Sequence, residues 1–384
     1  MARKTHEEIE ALKKKLNTSR IWSFSRINAF INCSYSYYMK YVKREKEKEN
    51  NIYGLLGGQF HDILEKFYKK EISYEQMIED AEIAIINVSV LEMKFDKNDS
   101  QKNEGIENKY FECMKHFFMN HVPVQSKVLC EKEIVIKIGN HYFQGYIDAI
   151  HREGDTYIIT DYKSSTIYAG KKILQEGRQL MLYALGLHQQ GIPVDKIKIR
   201  WNFLKYNALT FTQKNGKVKT MNAERFAWAG KLKSQLRMNL KDTKQSTEDE
   251  IEGLLTQCME LNSIHILPKE IQDKYQFADC YVEIPLDEET LANLEKEFTA
   301  TILDIYKREK DFEDTKNLDL WKKEVDVGCF YFCSNICGYT AGQCHCYREF
   351  LSNADIFKSD NNKRIQAKDD VGDDDAWMRE LGLI

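Results

Sequence analysis

Gly145-Tyr146-Ile147-Asp148-Ala149-Ile150, followed after a Glu153-Gly154-Asp155 turn signal by Ile158-Ile159-Thr160-Asp161-Tyr162-Lys163-Ser164-Ser165, is the stretch that decides the fold. Both segments read as β-strands. Side chains alternate across a strand, so Asp161 and Lys163 point to one face and Tyr162 to the other. Joined as a hairpin, the two strands can set Asp148 beside Asp161. Neighbouring carboxylates repel unless a cation sits between them, and oxygen ligands favour magnesium or manganese. A lysine two residues from such an aspartate can hold a water or neutralise charge developing on a phosphate. That is a phosphodiester-hydrolysis site in outline. Alone, the Asp-x-Lys triplet reads more ordinarily as a strand with an acidic end and a surface lysine, so the surrounding sequence has to decide.

Outward from this hairpin the hydrophobic period changes on both sides. Residues 131–138 read as a strand before a Gly139-Asn140 turn, so the strands here are 131–138, 142–150 and 156–162. Glu131 and Glu133 on the first could lend a further carboxylate, although solvated strand residues are the plainer reading. Residues 171–189 read as a helix returning over the sheet, stopped by Gly191 and Pro193, and 196–206 as a further strand. Asn215-Gly216 marks a hairpin. Upstream, residues 6–16 read as a charged helix. Ser23 and Ser25 offer N-caps for an amphipathic helix carrying Ile27, Phe30, Ile31, Cys33, Ser34, Tyr37 and Tyr38. A glycine-rich step at 53–58 precedes a second helix, with His61 and Glu65 one turn apart. Helical sequence continues to about residue 120 and resumes from about 221 to 320, with one short strand at 280–284.

The chain has 384 residues, 42% hydrophobic and 30% charged, which supplies apolar material for one large core or two ordinary ones. The 56 Lys and Arg nearly balance the 60 Asp and Glu, for a net charge of -4, so any nucleic-acid partner has to be held by local patches. No apolar run is long enough to span a membrane, and Met1 to Glu8 lack the apolar segment of a secretory leader. A cytoplasmic protein of a bacterial or phage-infected cell, with no membrane partner, is expected. Five of the ten cysteines (Cys329, Cys333, Cys337, Cys344 and Cys346) crowd into eighteen residues. Disulfides at such spacing are strained, whereas thiolates there can converge on one soft metal centre. Spacing does not choose between zinc and iron–sulfur. Cys113, Cys130, Cys258 and Cys280 read as small buried hydrophobes. Eight basic residues between Lys214 and Lys241 face only Glu224, with Phe226 and Trp228 interleaved. This suits either a single-strand path or a solvated helix with inward aromatics.

Taken together, these motifs resemble the PD-(D/E)XK nuclease superfamily, in the branch that holds RecB-type nuclease domains, the AddB subunit and the iron–sulfur CRISPR adaptation exonucleases. The likeness runs from Trp22 to Tyr206, with Cys329 to Tyr347 added. Ser23, Ser25, Ile27, Phe30 and Cys33 match the family's first helix, Gly57 and His61 its Gly-x-x-x-His step, and Asp148, Asp161 and Lys163 its two catalytic strands. Gln179 and Tyr183 match its Gln-x-x-x-Tyr helix. The resemblance implies that Asp148, Asp161 and His61 bind Mg2+ or Mn2+, that Lys163 positions water, and that Gln179 and Tyr183 hold the substrate backbone. It also implies a [4Fe-4S] cluster on Cys33, Cys333, Cys337 and Cys344, with Cys329 and Cys346 as substitutes. Zinc on the C-terminal cysteines is the alternative. The chain departs from the usual pattern in having Ser34 after the first cysteine and C-x3-C-x3-C-x6-C-x-C in place of C-x2-C-x5-C.

The expected fold is α/β, a restriction-endonuclease-like core of small mixed sheet and flanking helices with a helical insertion and a cysteine-ligated cap. Its expected parts are an N-terminal helix (1–20), the nuclease core (21–210), a basic hairpin and helical insertion (211–320), the cap (321–350) and an acidic tail (351–384). The expected function is a metal-dependent DNA nuclease, an exonuclease on single strands or duplex ends in repair, recombination or phage or CRISPR processing. The alternative is a non-catalytic, cluster-stabilised DNA-binding subunit of a helicase–nuclease or recombination complex. Either reading leaves room for a helicase or recombination partner, which the acidic tail could dock.

Overall fold

The computed structural model describes residues 4–213, 215–243, 247–325 and 327–352. From residue 353 onward the expected acidic tail lies outside them, as does Lys214 of the basic stretch. Strands with one apolar face pair edge to edge and bury that face against helices. Seven do so here in one mixed sheet: β1 (Ile21–Trp22), β2 (Leu129–Ile138), β3 (His141–Glu153), β4 (Thr156–Lys163), β5 (Ile197–Thr212), β6 (Val218–Glu224) and β7 (Tyr275–Ile284). The helices are α1 (His6–Lys15), α2 (Phe24–Asn32), α3 (Ser34–Tyr37), α4 (Ile52–Tyr68), α5 (Tyr74–Val90), α6 (Ser100–Asn120) and α7 (Lys171–Gln189). Then come α8 (Trp228–Lys231), α9 (Lys233–Thr243), α10 (Glu248–Glu260), α11 (Lys269–Gln272), α12 (Glu288–Thr315) and α13 (His345–Ser352). The sheet and its flanking helices make a restriction-endonuclease-like fold.

Register explains where the sheet opens. β2 lies antiparallel along one edge of β3, while the other edge is shared by β1, parallel at Tyr142 and Phe143, and β4, antiparallel from Ala149 to Glu153. Asp148 would oppose Asp161 one step beyond the last pair, Ala149 with Thr160. There β3 and β4 part, while the other edge of β4 stays paired with β5 through Asp161, Tyr162 and Lys163. One edge of β5 is likewise shared, by β4 as far as Phe203 and by β6 from Tyr206 onward, with β7 along the other edge. The two openings are neighbours.

Helices cover both faces. Ile134, Ile136, Phe143, Ile147 and Ile159 pack against α2, α7 and α12 through residues such as Ile27, Leu180 and Phe298. Ala149, Tyr162 and Leu204 pack against α4, α5 and α6, and a third core joins the far ends of β5 to β7 with α8 to α11. Among the described residues no helix is long and apolar enough to cross a membrane.

Two readings of the sequence need correction. Cys33 does not ride inside a continuous helix: its extended backbone (φ -156, ψ 102) ends α2, and its sulfur accepts from the Ser36 amide at 3.4 Å to start α3. Both helices pack on the same core, so apolar spacing runs across the break and hides it. The basic stretch is an open track only in part, with Lys217, Lys219, Lys231 and Lys233 exposed. Trp228 and Arg225 are buried, Arg237 pairs with Glu248 and Glu252, and Lys241 pairs with Glu248.

Arg225 instead closes an internal network. Its guanidinium donates to Asp279 of β7 at 2.6 Å, and His121, just after α6, lies 2.9 Å from the other carboxylate oxygen. Tyr68 of α4 meets His121 at 2.8 Å. The network therefore ties both α4 and α6 to the far end of the sheet. Removing one member of a buried pair leaves an uncompensated charge. Asp279→Ala should therefore lower the unfolding free energy by about 3–5 kcal/mol in urea titration; a loss below about 1 kcal/mol, the scale of an exposed pair, would show the pair to be solvated.

Candidate active site

Asn51 caps α4 by accepting from the Gly54 amide at 2.6 Å, and Leu56, Phe60, Ile63 and Leu64 seat that helix in the second core. This puts His61 against β4. Its Nε2–H donates to the Tyr162 carbonyl at 2.7 Å, which fixes the ring and leaves Nδ1 3.2 Å from Asp148 Oδ2. Lys163 Nζ stands 3.1 Å from Asp161 Oδ1 and 2.8 Å from Oδ2. Tyr183 comes up from α7 and takes a hydrogen bond from Gln179 Nε2 at 3.0 Å. Gly145 makes room for it, since a Cβ there would fall 2.4 Å from the Tyr183 ring. The structure thus brings His61, Asp148, Asp161, Lys163, Gln179 and Tyr183 to one opening. Beside them is a cavity of about 200 Å³ lined by Gly57, His61, Lys163, Ser164, Ser165 and Tyr168, among others. Those two serines and Tyr168 are site-lining residues that the sequence reading did not single out.

The charges press on one another. Burial, partly offset by Lys163 and reinforced by Asp148, pushes the Asp161 carboxyl up to about 6. Burial opposes ionisation of Asp148 as well, but His61 and then Lys163 outweigh it and hold that carboxyl below its usual range. Burial alone would lower the His61 and Lys163 values, yet Asp148 drives the imidazole up to about 9 and Asp161 drives the ammonium above its ordinary value. Lys163 therefore stays charged near neutral pH and can donate but not act as a base.

Glu131 sits directly across β2 from Asp148, at the one step where that ladder is interrupted, with its backbone in the left-handed region (φ 51). A glutamate there is strained, since its side chain gains nothing from that conformation. Burial and the charges of Asp148 and Glu65 push its carboxyl up to about 7. It lies, half-buried, within the field of Asp148, Glu65 and His61, and no periodicity in the sequence distinguishes it from Glu133.

Among the described residues, no three His, Cys, Asp or Glu side chains already close on a point at ligand spacing. The donor set nevertheless fits a hard divalent ion. Asp148 Oδ2 and Asp161 Oδ2 are buried and accept no well-directed hydrogen bond, and the like charges need a cation between them.

The cysteines meet elsewhere. Cys33, Cys329, Cys333, Cys337, Cys344 and Cys346 all line one small cavity. Burial and the neighbouring thiols push Cys333 up to about 12, and the closeness of Cys344 and Cys346 raises the first and lowers the second. Thiols crowded in this way suit a soft metal that displaces their protons. The segment is tied to the irregular stretch leading into α4: Lys48 N–H donates to the Gly338 carbonyl at 2.9 Å, the Asn51 side-chain amide to the Ile336 carbonyl at 3.2 Å, and the Tyr339 hydroxyl to the Glu45 carbonyl at 3.2 Å.

The sequence profile of the PD-(D/E)XK nuclease superfamily matches residues 21–340. That span holds the whole carboxylate site together with Cys33, Cys329, Cys333 and Cys337, and stops short of Cys344 and Cys346. Nucleases of this superfamily hydrolyse phosphodiester bonds and typically use Mg2+ or Mn2+. No curated protein gives a match.

A pH dependence follows from His61. Its pairing with Asp148 contributes stability in full below the imidazole's ordinary 6.5, and that stability is lost as pH rises through about 9. A metal ligand must be neutral, so ion binding displaces the same proton. Mn2+ affinity, read from the paramagnetic resonance of free Mn2+, should rise about tenfold per pH unit from 7 towards 9. In His61→Gln it should be weaker and nearly flat; a steep slope persisting in that variant would remove His61 from the ligand set.

Proposed function

The chain belongs to the PD-(D/E)XK nuclease superfamily, and from that premise we propose that it is a metal-dependent deoxyribonuclease, an exonuclease working on single strands or duplex ends. The observation that carries this reading is the convergence of Asp148, Asp161, His61 and Lys163 where β3 and β4 part. Asp148, Asp161 and His61 would hold Mg2+ or Mn2+, with Glu131 near enough in the sheet to contribute. When bound, the ion supplies Lewis-acid polarisation of a phosphoryl oxygen and offsets the buried negative charge.

The chain's own groups do the rest. Asp161 orients the Lys163 ammonium, which keeps its protons and donates to the attacking water or to a phosphoryl oxygen as charge builds there. The Tyr162 carbonyl fixes His61, so the Nδ1 side of the ring stays turned to Asp148. Gln179 and Tyr183 hold the sugar–phosphate backbone from the α7 side. A cavity of about 200 Å³ beside His61 and Lys163 leaves room for a backbone segment.

The cysteine cavity we read as a [4Fe-4S] site on Cys33, Cys333, Cys337 and Cys344, with Cys329 and Cys346 as substitutes and zinc as the alternative metal. Such a clamp would hold residues about 300 apart in sequence and fix the approach to α4. Membership of the RecB- and AddB-like branch is part of the same proposal.

Two experiments test these readings. End-labelled single-stranded DNA in Mn2+ should be shortened from its ends by the wild type, with at least a thousandfold loss expected for Asp161→Asn and Lys163→Ala, about 4 kcal/mol of barrier. Undiminished cleavage by either folded variant overturns the assignment, and binding without cutting by the wild type would favour a non-catalytic DNA-binding subunit. Protein purified without oxygen should carry iron and sulfide in equal amounts and little zinc; zinc in their place would decide for the alternative.

A further inference from the structure

β5 crosses from Asn202 to Asn207 while its partner β7 advances only from Tyr281 to Asp279. The surplus residues form a bulge at the point where β5 changes partner from β4 to β6. Bulges re-aim side chains and recur beside active sites. Here the bulge sends Leu204 into the wall of the catalytic cavity, and Lys205 follows two residues beyond Phe203, the strand partner of Lys163.

Lys205 sits between α6 and the end of β6, among Lys109, Cys113 and Glu224. The carboxylate in that group is already engaged, since Lys109 Nζ lies 2.7 Å from Glu224 Oε2. Lys205 has no hydrogen-bond or ion-pair partner among the described residues, and only the Tyr206 ring faces its ammonium, at 6.0 Å. Burial accordingly pulls its pKa down. A desolvated ammonium without an acceptor is costly and is relieved by an anion. Phe226 is next to the pair: 38% of it is exposed, and Lys109 Nζ stands 5.2 Å from its ring centroid. The group is reached from the cavity through Leu204, which lines it and directly precedes Lys205, and Tyr110 of the same helix as Lys109 faces Ser164 of the cavity wall.

We propose that Lys205, Lys109 and Phe226 form a strand-holding subsite beside the catalytic cavity, the two ammonium groups taking a backbone phosphodiester and the phenyl ring stacking on an unpaired base. Two ammonium groups against one carboxylate leave one positive charge in excess, which matches one phosphate. An exposed aromatic beside it accepts any base, so the subsite holds single strands without reading their sequence. Its placement next to the scissile position rests on the nuclease reading, but its affinity for a strand does not.

The test separates the two. Binding of a fluorescein-labelled single-stranded DNA is followed by anisotropy across a salt series in EDTA, where no cutting occurs. Lys205→Met should weaken binding about fivefold or more and lower the slope of log affinity against log salt by about 0.7, the value for one lost phosphate contact on a single strand. Lys205→Arg should keep the slope. Lys109→Met, at a more exposed position, should repeat the slope change, and Phe226→Ala should weaken binding with the slope intact. Lys205→Met removes a buried charge and should unfold at the same temperature as the wild type or higher. Affinity and slope both unchanged in folded Lys205→Met and Lys109→Met overturn the subsite. Failure of the wild type to cut in Mn2+, with these binding changes present, overturns the nuclease reading and leaves the subsite standing.

Discussion

Two carboxylates that should repel are held together out of water, and the rest of the site answers that constraint. Asp148 and Asp161 would be ordinary cross-strand neighbours if β3 and β4 continued as a ladder. The ladder ends at Ala149 and Thr160, while β4 continues beside β5 as far as Lys163. Around them stand the groups that make the crowding tolerable, the His61 imidazole on one side and the Lys163 ammonium on the other. Charge pressure of this kind would be relieved by a divalent ion.

The framework reaches well beyond the sheet. His61 is positioned by α4, and the chain entering α4 is pinned by backbone and side-chain hydrogen bonds to the cysteine segment at Gly338, Ile336 and Tyr339. The other end of α4 contacts the buried Arg225–Asp279–His121 network through Tyr68. The helix that carries His61 is therefore held at both ends by contacts distant in sequence. In this arrangement the segment that lines the cysteine cavity and the helix that carries His61 are tied together.

Much of this was legible from the chain alone because it follows from period and spacing. Strands at 131–138, 142–150 and 156–162 appear as β2, β3 and β4 with an extra residue or more at most ends, and the helix at 171–189 appears as α7 with those bounds. The Asp-x-Lys alternation placed both side chains on one face, as pleating requires. What escaped depends on contacts between distant segments. The break at Cys33 hides within a continuing apolar pattern, and Arg225 reads as surface charge until Asp279 and His121 are seen beside it. The left-handed backbone of Glu131 and the bulge that carries Lys205 arise from how strands share edges, which no local window of sequence records.

The most direct trial of this account is an anomalous difference map from crystals soaked in Mn2+ near pH 8. It should show a peak bounded by the carboxylates of Asp148 and Asp161 and by Nδ1 of His61, with Lys163 close by but not coordinating. A soaked crystal that binds manganese elsewhere, and leaves these three side chains turned away from a common point, would contradict it.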